Sequence, residues 1–223
     1  SFEDSQQRLG LAEIDILLLH DLGAYTHGDN DKHYFKQFET SGYKALDELR
    51  KHGDIKAVGL GVNEVEICER AMNIGQFDCF LLAGRYSLLE QTPLQQFLPT
   101  CEAHGASIIL GGPYNSGILA TGVKGNNIPY YDYEPAPQHI IDKVAKIEAV
   151  CSQYKVTLAA AALQFPLGHS AVASVIPGLG SAKRVEQTIA LFNEVIPAEF
   201  WQTLKDKNLL DKDAPLPCSA KSI

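Results

Sequence analysis

Residues 13–21 read Glu-Ile-Asp-Ile-Leu-Leu-Leu-His-Asp, a short and nearly unbroken apolar run that stops at two ionisable residues. Such a run predicts a strand of a buried parallel sheet, because a strand that is covered on both faces loses the alternation of apolar and polar residues. In α/β folds the carboxyl ends of the strands are where reactive groups collect. His20, at the end of this run, is therefore the first candidate site residue.

The composition is that of an ordinary globular protein, with 223 residues, 45% of them hydrophobic and 21% charged. The net charge of -8 argues against nucleic acid and anionic membranes as partners, since both require a basic surface. No apolar run approaches the ~18 residues of a membrane span, and the first residues do not resemble a signal peptide. We expect a cytoplasmic protein.

The cysteines are odd in number, scattered and without CxxC spacing, which suggests neither a disulfide framework nor a zinc site. We expect them to be reduced and mostly buried thiols. They are Cys68, Cys79, Cys101, Cys151 and Cys218.

Strand and helix patterns alternate along the chain. Glycines typical of helix ends follow the helical patterns at Gly10, Gly53 and Gly105. We expect Asn63 to cap the helix after the second strand, with Glu66 completing a capping box. The predicted strands are 13–20, 55–61, 78–83, 106–110 and 171–176, and the predicted helices are 1–10, 43–52, 64–72, 92–104, 140–154, 157–165, the helix after 181, and 197–210.

Two segments are predicted to be irregular. The first, a polar loop with aromatic residues, runs from the end of the first strand to about residue 42 and is about twice the usual length of a connection, which favours a functional loop. The second runs from Gly112 to about Pro137 and contains four tyrosines. A tail covers 211–223, where Pro215 and Pro217 rule out a continued helix.

The alternation of strands and helices predicts an α/β fold with a parallel sheet and right-handed crossovers. A closed (β/α)8 TIM barrel has eight such units in about 250 residues, and the pattern supplies five. Since the chain enters in mid-unit at a residue other than methionine, we expect residues 1–223 to be a single, incomplete barrel domain that lacks the first units. An open doubly wound sheet is the competing fold, but no glycine-rich turn follows the first strand.

Four groups of residues, taken in order and at these spacings, resemble the aldo-keto reductases. They are Leu9-Gly10-Leu11 with Ile14-Asp15 and His20-Asp21; Gly59-Leu60-Gly61-Val62-Asn63; Gly111-Gly112-Pro113-Tyr114-Asn115-Ser116-Gly117-Ile118-Leu119; and Val175-Ile176-Pro177-Gly178 with Arg184. The resemblance extends over nearly the whole chain. Within the family, residues 81–86 and 111–117 are similar to the bacterial D-threo-aldose or L-fucose 1-dehydrogenases, and pyridoxal 4-dehydrogenases are similar too.

The resemblance implies a TIM barrel that uses NAD or NADP without a metal and moves a hydride between the anomeric carbon of a sugar and the nicotinamide, giving a lactone. The family's reaction uses a tyrosine as general acid or base, a lysine, an aspartate and a substrate-orienting histidine. His20 matches the histidine. The other three belong to barrel units upstream of Ser1, so we expect this chain alone to be inactive.

The resemblance also assigns cofactor positions. Departures from the common family residues are Val62 for serine, Ala83 and Gly84 for glutamine and asparagine, and Gly111 for an aromatic that stacks on the nicotinamide. NADP-using members place a lysine where Gly178 lies, so its absence favours NAD. The predicted cofactor-binding residues are Asn63, Gly111, Gly112, Asn115, Ser116, Gly117, Leu119, Gly178, Gly180, Arg184 and Gln187.

Other interpretations of these residues exist. A histidine at a strand end can be a hydrogen-bonded structural residue, Asn63 can be only a helix cap, and Gly178 and Gly180 can be only turn residues. The alternative function is a non-catalytic, truncated aldo-keto-like module that binds nucleotide or a partner subunit. We expect a small sugar or aldehyde substrate. Because five units leave two barrel edges unpaired, we also expect a homo-oligomer, aggregation or pairing with the missing N-terminal portion.

Overall fold

A computed structural model describes residues 1–217. The predictions for Cys218 and for the end of the tail, 218–223, lie outside the described residues. The strands are β1 (Ile16–His20), β2 (Ala57–Val62), β3 (Cys79–Ala83), β4 (Ser107–Gly111), β5 (Tyr130–Tyr131), β6 (Glu134–Pro135) and β7 (Val172–Ile176). The α-helices are α1 (Phe2–Leu9), α2 (Ala24–His27), α3 (Asp31–Gln37), α4 (Tyr43–His52), α5 (Val65–Met72), α6 (Phe97–His104), α7 (Ile118–Thr121), α8 (Gln138–Tyr154), α9 (Leu158–Gln164), α10 (Ala182–Phe192) and α11 (Ala198–Asp206).

Five strands form one sheet in the order β1-β2-β3-β4-β7, which is the order of the sequence. β1 pairs in parallel with β2, with His20 opposite Gly61, and β2 pairs in parallel with β3. The predicted α/β fold with a parallel sheet is confirmed. Each predicted strand is present, with its ends shifted by at most three residues.

The prediction that the first strand is buried on both faces is wrong. β1 is the first strand in the order of the sheet, with β2 as its neighbour. Its two end residues are exposed, and its three leucines are only partly buried. Ile16 remains 44% exposed. An apolar run specifies a strand but does not distinguish a central strand from an end strand, because both present side chains to covering helices.

The chain forms two compact units. The first comprises Ser1–Leu82 with Thr100–Ile108. Its core includes Val58, Leu60 and Phe80, which have no exposed surface. Beside this core, Arg50 Nη1 donates to Asp78 Oδ2 at 2.7 Å, and the same Asp78 oxygen accepts the Val58 N–H. This carboxylate therefore ties α4 to the start of the sheet.

The loop predicted between the first strand and residue 42 is instead largely helical. Gly28–Asn30 forms a 3-10 turn between α2 and α3, and Phe38–Gly42 forms a π-type turn that leads into α4. Phe35 and Phe38 are buried, and their rings lie 5.9 Å apart. Their spacing of three residues puts both on one helix face. The aromatic residues of this segment thus include two that pack in the core.

The second unit comprises Ala83–Pro99 and the described residues from Ile109 onward. Phe165, Phe200 and Trp201 are fully or almost fully buried in its core, with the rings of Phe200 and Trp201 5.0 Å apart. The Tyr154 and Thr203 hydroxyls, 2.7 Å apart, join α8 to α11. The predicted helices of this unit are confirmed within a few residues, but Thr92–Leu94 is a 3-10 turn and α6 begins only at Phe97.

Two further predictions are corrected. The N-cap residue of α5 is Glu64 and not Asn63, and the Glu64 side chain makes no capping hydrogen bond. The segment from Gly112 to Pro137 is not irregular throughout. It holds a 3-10 turn, α7 and the hairpin of β5 and β6, whose turn residues Asp132 and Tyr133 both have positive φ. No glycine marks that turn, which is the usual signal of such a hairpin.

Cys68, Cys79, Cys101 and Cys151 are free and buried, as predicted. Burial raises the pKa of the Cys101 and Cys151 thiols to about 12 and raises that of Cys68 well above its usual range. These groups are therefore neutral thiols rather than reactive thiolates at physiological pH. Among residues 1–217, no helix combines the length and the apolarity that crossing a membrane requires.

Candidate cofactor and active site

His20 is the last residue of β1, and its side chain is 85% exposed. Its Nδ1 lies 3.6 Å from Oδ2 of Asp21. Asp21 has a φ of 45°, which is uncommon for a residue with a side chain, and its N–H donates to the Gly61 carbonyl at 2.9 Å. His20 therefore lies at the carboxyl end of the strand, as the sequence predicts, and its imidazole is exposed.

Asn63 directly follows β2 and is half-buried. Since β1 and β2 are parallel and His20 pairs with Gly61, His20 and Asn63 lie at the same edge of the first unit's sheet. Asn63 already takes part in an interaction within the protein. Its role in binding a cofactor remains a prediction.

In the second unit, the segment after β4 is a run of left-handed residues. Asn115, Ser116 and Gly117 have φ values of 44°, 59° and 99°. The Asn115 side chain is buried, and it holds this backbone in place, because Ser87 Oγ donates to its Oδ1 at 2.6 Å and its Nδ2 donates to the Gly84 carbonyl at 3.1 Å. Strained backbone of this kind persists only where the surroundings fix it, and it is concentrated at functional sites.

Several backbone donors of this segment are used within it. The N–H of Asn115 donates to the Gly112 carbonyl, and those of Gly117 and Leu119 both donate to the Tyr114 carbonyl. Ser116 Oγ accepts the N–H of Tyr133 at 2.9 Å. An anion bound here would therefore be held by the remaining donors of the segment, such as the Ser116 hydroxyl, rather than by every amide of the loop.

Gly111 and Gly112 support this arrangement from the end of β4. The Gly111 carbonyl accepts the Gly84 N–H at 2.9 Å. Gly112 has a φ of 60°, and a Cβ there would lie 3.5 Å from the Gly84 nitrogen. Leu119 is fully buried, so its side chain anchors the segment in the core.

The segment after β7 is open. An added Cβ at Gly178 or Gly180 would meet nothing within 4 Å, and neither residue has a positive φ. Neither backbone strain nor packing among residues 1–217 explains these two glycines. The space beside them is open, so a ligand could lie there. Ser181 Oγ caps α10 by accepting the Arg184 N–H at 3.3 Å. Arg184 and Gln187 are exposed and, at a spacing of three, lie on one face of that helix.

The hairpin of β5 and β6 is tied to the segment after β3. Arg85 Nη2 lies 3.0 Å from Asp132 Oδ1, and the Tyr131 hydroxyl donates to the Glu90 carboxylate. Burial raises the pKa of Glu90. The hairpin is thus anchored by a half-buried ion pair and by a carboxyl group whose ionised form is destabilised by burial.

Glu90→Gln is expected to gain stability relative to wild type as the pH rises above 4.5, the ordinary value for a glutamate side chain. A carboxyl whose pKa is raised on folding stabilises the protein while it is protonated, and that contribution is lost as it ionises. Glutamine keeps the carbonyl acceptor for Tyr131 without the charge. The check is the urea unfolding midpoint, measured at pH values below and above 4.5. Glu199→Gln is the control, because Glu199 is exposed. A constant difference between Glu90→Gln and wild type would contradict the expectation.

Sequence reasoning missed Ser87 and Arg85. Ser87 has no exposed surface and lies 28 residues from Asn115, its hydrogen-bond partner. Such a long-range polar pair leaves no periodic signal in one sequence. Within residues 1–217, no three His, Cys, Asp or Glu side chains come together in a way that could hold a metal ion.

Comparison with known proteins agrees with the motifs. Residues 1–209 match the Aldo/keto reductase family. The chain is 45% identical over 211 residues to the pyridoxal 4-dehydrogenase of Microbacterium luteolum and 33% identical over 210 residues to the D-threo-aldose 1-dehydrogenase of a Pseudomonas species. Each match covers 94% of this chain and 61% of the relative. The chain thus spans about three fifths of the length of these relatives.

Solved structures show the same fold. The holo form of an aldo-keto reductase from Bacillus halodurans has a TM-score of 0.67 at 20% identity, covering 99% of this chain and 65% of that one. An aldo/keto reductase from Klebsiella pneumoniae in complex with NADP and acetate has a TM-score of 0.61 at 17% identity, covering 98% and 67%. The resemblance inferred from the motifs and the TIM-barrel type of fold are both confirmed. The chain belongs to the Aldo/keto reductase family.

Proposed function

We propose that this chain is the cofactor-binding portion of an NAD(P)-dependent dehydrogenase that oxidises a cyclic hemiacetal to a lactone. The observation that carries the proposal is the left-handed segment Asn115–Gly117, fixed by Ser87 and Gly84 at the carboxyl end of β4. This edge of an α/β sheet is where ligands bind. The family match over residues 1–209 supports the same assignment.

The assignment of residues to a dinucleotide follows from the family resemblance. Ser116 and Gly117 would hold the pyrophosphate, Gly178 and Gly180 would permit its close approach, and Arg184 with Gln187 would contact the adenosine. Asn63 would bind the nicotinamide amide. A bound nicotinamide would supply the acceptor for the hydride of the substrate carbon. In the remaining chemistry, the role of this chain is to hold the dinucleotide and to orient the substrate oxygen through His20.

The hydroxyl proton must go to a base as the carbonyl forms. Positioned proton transfer contributes roughly 10² to 10⁴ in rate. The resemblance assigns this step to a tyrosine and its lysine and aspartate partners in barrel units that residues 1–223 do not supply. His20 would orient the substrate oxygen in the protein that contains all four groups.

The two relatives suggest the substrate class. Aldoses form ring hemiacetals, and the hydroxymethyl group beside the aldehyde of pyridoxal closes a similar ring. In both, loss of a hydride from the ring carbon and a proton from its hydroxyl gives a lactone. The higher identity to the pyridoxal 4-dehydrogenase makes pyridoxal the first substrate to test and L-fucose the second.

The test is a fusion protein that joins the part of the M. luteolum pyridoxal 4-dehydrogenase preceding its matched region to residue 1 of this chain. We expect it to reduce NAD⁺ with pyridoxal or L-fucose, and we expect His20→Ala to lower kcat at least about tenfold because substrate orientation is lost. His139→Ala, at an exposed position on α8, is the matched control. A folded fusion protein that binds no nucleotide and turns over neither substrate would favour the non-catalytic module instead.

Gly178→Lys is expected to shift cofactor preference towards NADP⁺. A lysine there would pair with the 2′-phosphate, and a charge-assisted contact of this kind at an exposed site is expected to tighten NADP⁺ binding about five- to tenfold. Since a Cβ at position 178 would meet nothing within 4 Å and the position is exposed, stability should not change. Calorimetric titration with NAD⁺ and NADP⁺ measures the effect. An equal change in both affinities would show that residue 178 does not face the 2′ position.

A further inference from the structure

The Glu64 carboxylate lies against the segment that follows His20. The N–H of Tyr25, in α2, donates to Glu64 Oε1 at 3.2 Å. A Cβ at Gly23 would collide with the same carboxylate. Gly23 has a φ of -103°, which any residue can adopt, so a side chain at this position would be accommodated only if the Glu64 carboxylate moved away.

The Glu64 side chain does not cap its own helix. Glu64 is the N-cap residue of α5, yet its side chain makes no capping hydrogen bond. Glutamate is also not among the residues preferred at that position. Its side chain instead reaches a segment about forty residues earlier in the chain. The contact therefore joins the ends of β1 and β2 within the first unit.

The segment that Glu64 contacts contains strained backbone. Asp21, directly after His20, is left-handed, and its carbonyl oxygen lies 3.1 Å from His27 Nε2. The N–H of His27 in turn donates to the Gly23 carbonyl at 3.0 Å. A left-handed aspartate persists where its surroundings over-determine it, and Glu64 supplies a restraint from outside the segment.

We propose that Glu64 is a positioning residue for His20, holding residues 21–27 so that the imidazole leaves β1 in one orientation. The anchoring follows from contacts within the first unit. Only its consequence for catalysis rests on the proposed function, in which His20 orients the substrate oxygen.

Hydrogen–deuterium exchange of the 223-residue polypeptide tests the anchoring without any activity. Glu64→Ala is expected to speed exchange at Asp21 and Tyr25 about tenfold, because local opening becomes easier when a restraint is removed. Glu64→Gln, which keeps the acceptor, should change it less than about threefold. Glu66→Ala, an exposed glutamate two residues further on, is the matched control and should change nothing. Unchanged exchange in Glu64→Ala would overturn the proposal.

A double-mutant cycle separates this contact from general destabilisation. Gly23→Ala alone should loosen the same amides, because its methyl group displaces the carboxylate. In the Glu64→Ala background the same substitution should have little further effect, since the group that it displaces is gone. Equal effects of Gly23→Ala in both backgrounds would overturn the proposal.

In the fusion protein, Glu64→Ala is expected to lower kcat about tenfold with little change in the KM for NAD⁺, and Glu64→Gln should recover most of the loss. Faster exchange in Glu64→Ala, together with a fusion protein that is inactive even without this substitution, would support the anchoring and count against the proposed function. Loosened exchange with an unchanged kcat would overturn the positioning role, and unchanged exchange would overturn it whatever the activity.

Discussion

The polypeptide of residues 1–223 is expected to oxidise pyridoxal or L-fucose at least about 100-fold more slowly than the fusion protein, because the proposed function assigns the base that takes the substrate's hydroxyl proton to barrel units other than these. His20 is exposed and lies beside Asp21, and the family resemblance gives it the role of orienting the substrate oxygen rather than that of the tyrosine base. The expected difference is therefore in turnover and not in nucleotide binding.

The measurement is NADH formation at saturating NAD⁺, with equal concentrations of the two proteins. Nucleotide affinity measured on the same samples controls for folding, since both should bind. Turnover by the 223-residue polypeptide comparable to that of the fusion protein would contradict the account. It would mean that a base within this chain serves the reaction.

Trp201→Ala is expected to lower the free energy of unfolding by about 3–5 kcal/mol. Trp201 is 2% exposed, and its ring lies 5.0 Å from that of Phe200 and 6.3 Å from that of Phe165. Truncation to alanine removes a large apolar group from a packed core, where the neighbours can close only part of the cavity. The loss is large relative to the 5–15 kcal/mol of a typical domain.

Urea unfolding followed by far-UV circular dichroism measures this loss, since the variant lacks the one tryptophan of the chain. Gln202→Ala is the matched control, because Gln202 is exposed on the same helix and should change stability by less than about 0.5 kcal/mol. A loss below about 1 kcal/mol for Trp201→Ala would mean that α11 is not packed as described.

The elements that the sequence predicted well carry local signals. Gly10 and Gly53 end α1 and α4 in left-handed conformations, with φ values of 66° and 83°. The apolar run before His20 is a strand, and its last residue is the histidine. In each case the local sequence determines the local conformation. Glycine adopts the left-handed conformation freely, and a run of apolar residues is typical of a strand in a parallel sheet.

The features that the sequence did not predict depend on distant contacts. The exposure of β1 is set by its place at one end of the sheet order. Glu64 was passed over because its partner, Tyr25, lies far away in the sequence. The helical structure of residues 24–42 was missed because its polar residues resemble a loop, while the burial of Phe35 and Phe38 that stabilises it is a tertiary effect.

The central claim is that the segments after β4 and β7 hold a dinucleotide. Calorimetric titration of the 223-residue polypeptide with NAD⁺ tests it most directly, using Gly180→Glu against Gly125→Glu. Both glycines lack a positive φ and have open space where a side chain would go, so neither change should affect folding. We predict saturable binding to wild type and to Gly125→Glu, and binding weakened at least about tenfold by Gly180→Glu because a carboxylate repels the pyrophosphate. No saturable binding to wild type, or equal affinity for the two variants, would contradict the account.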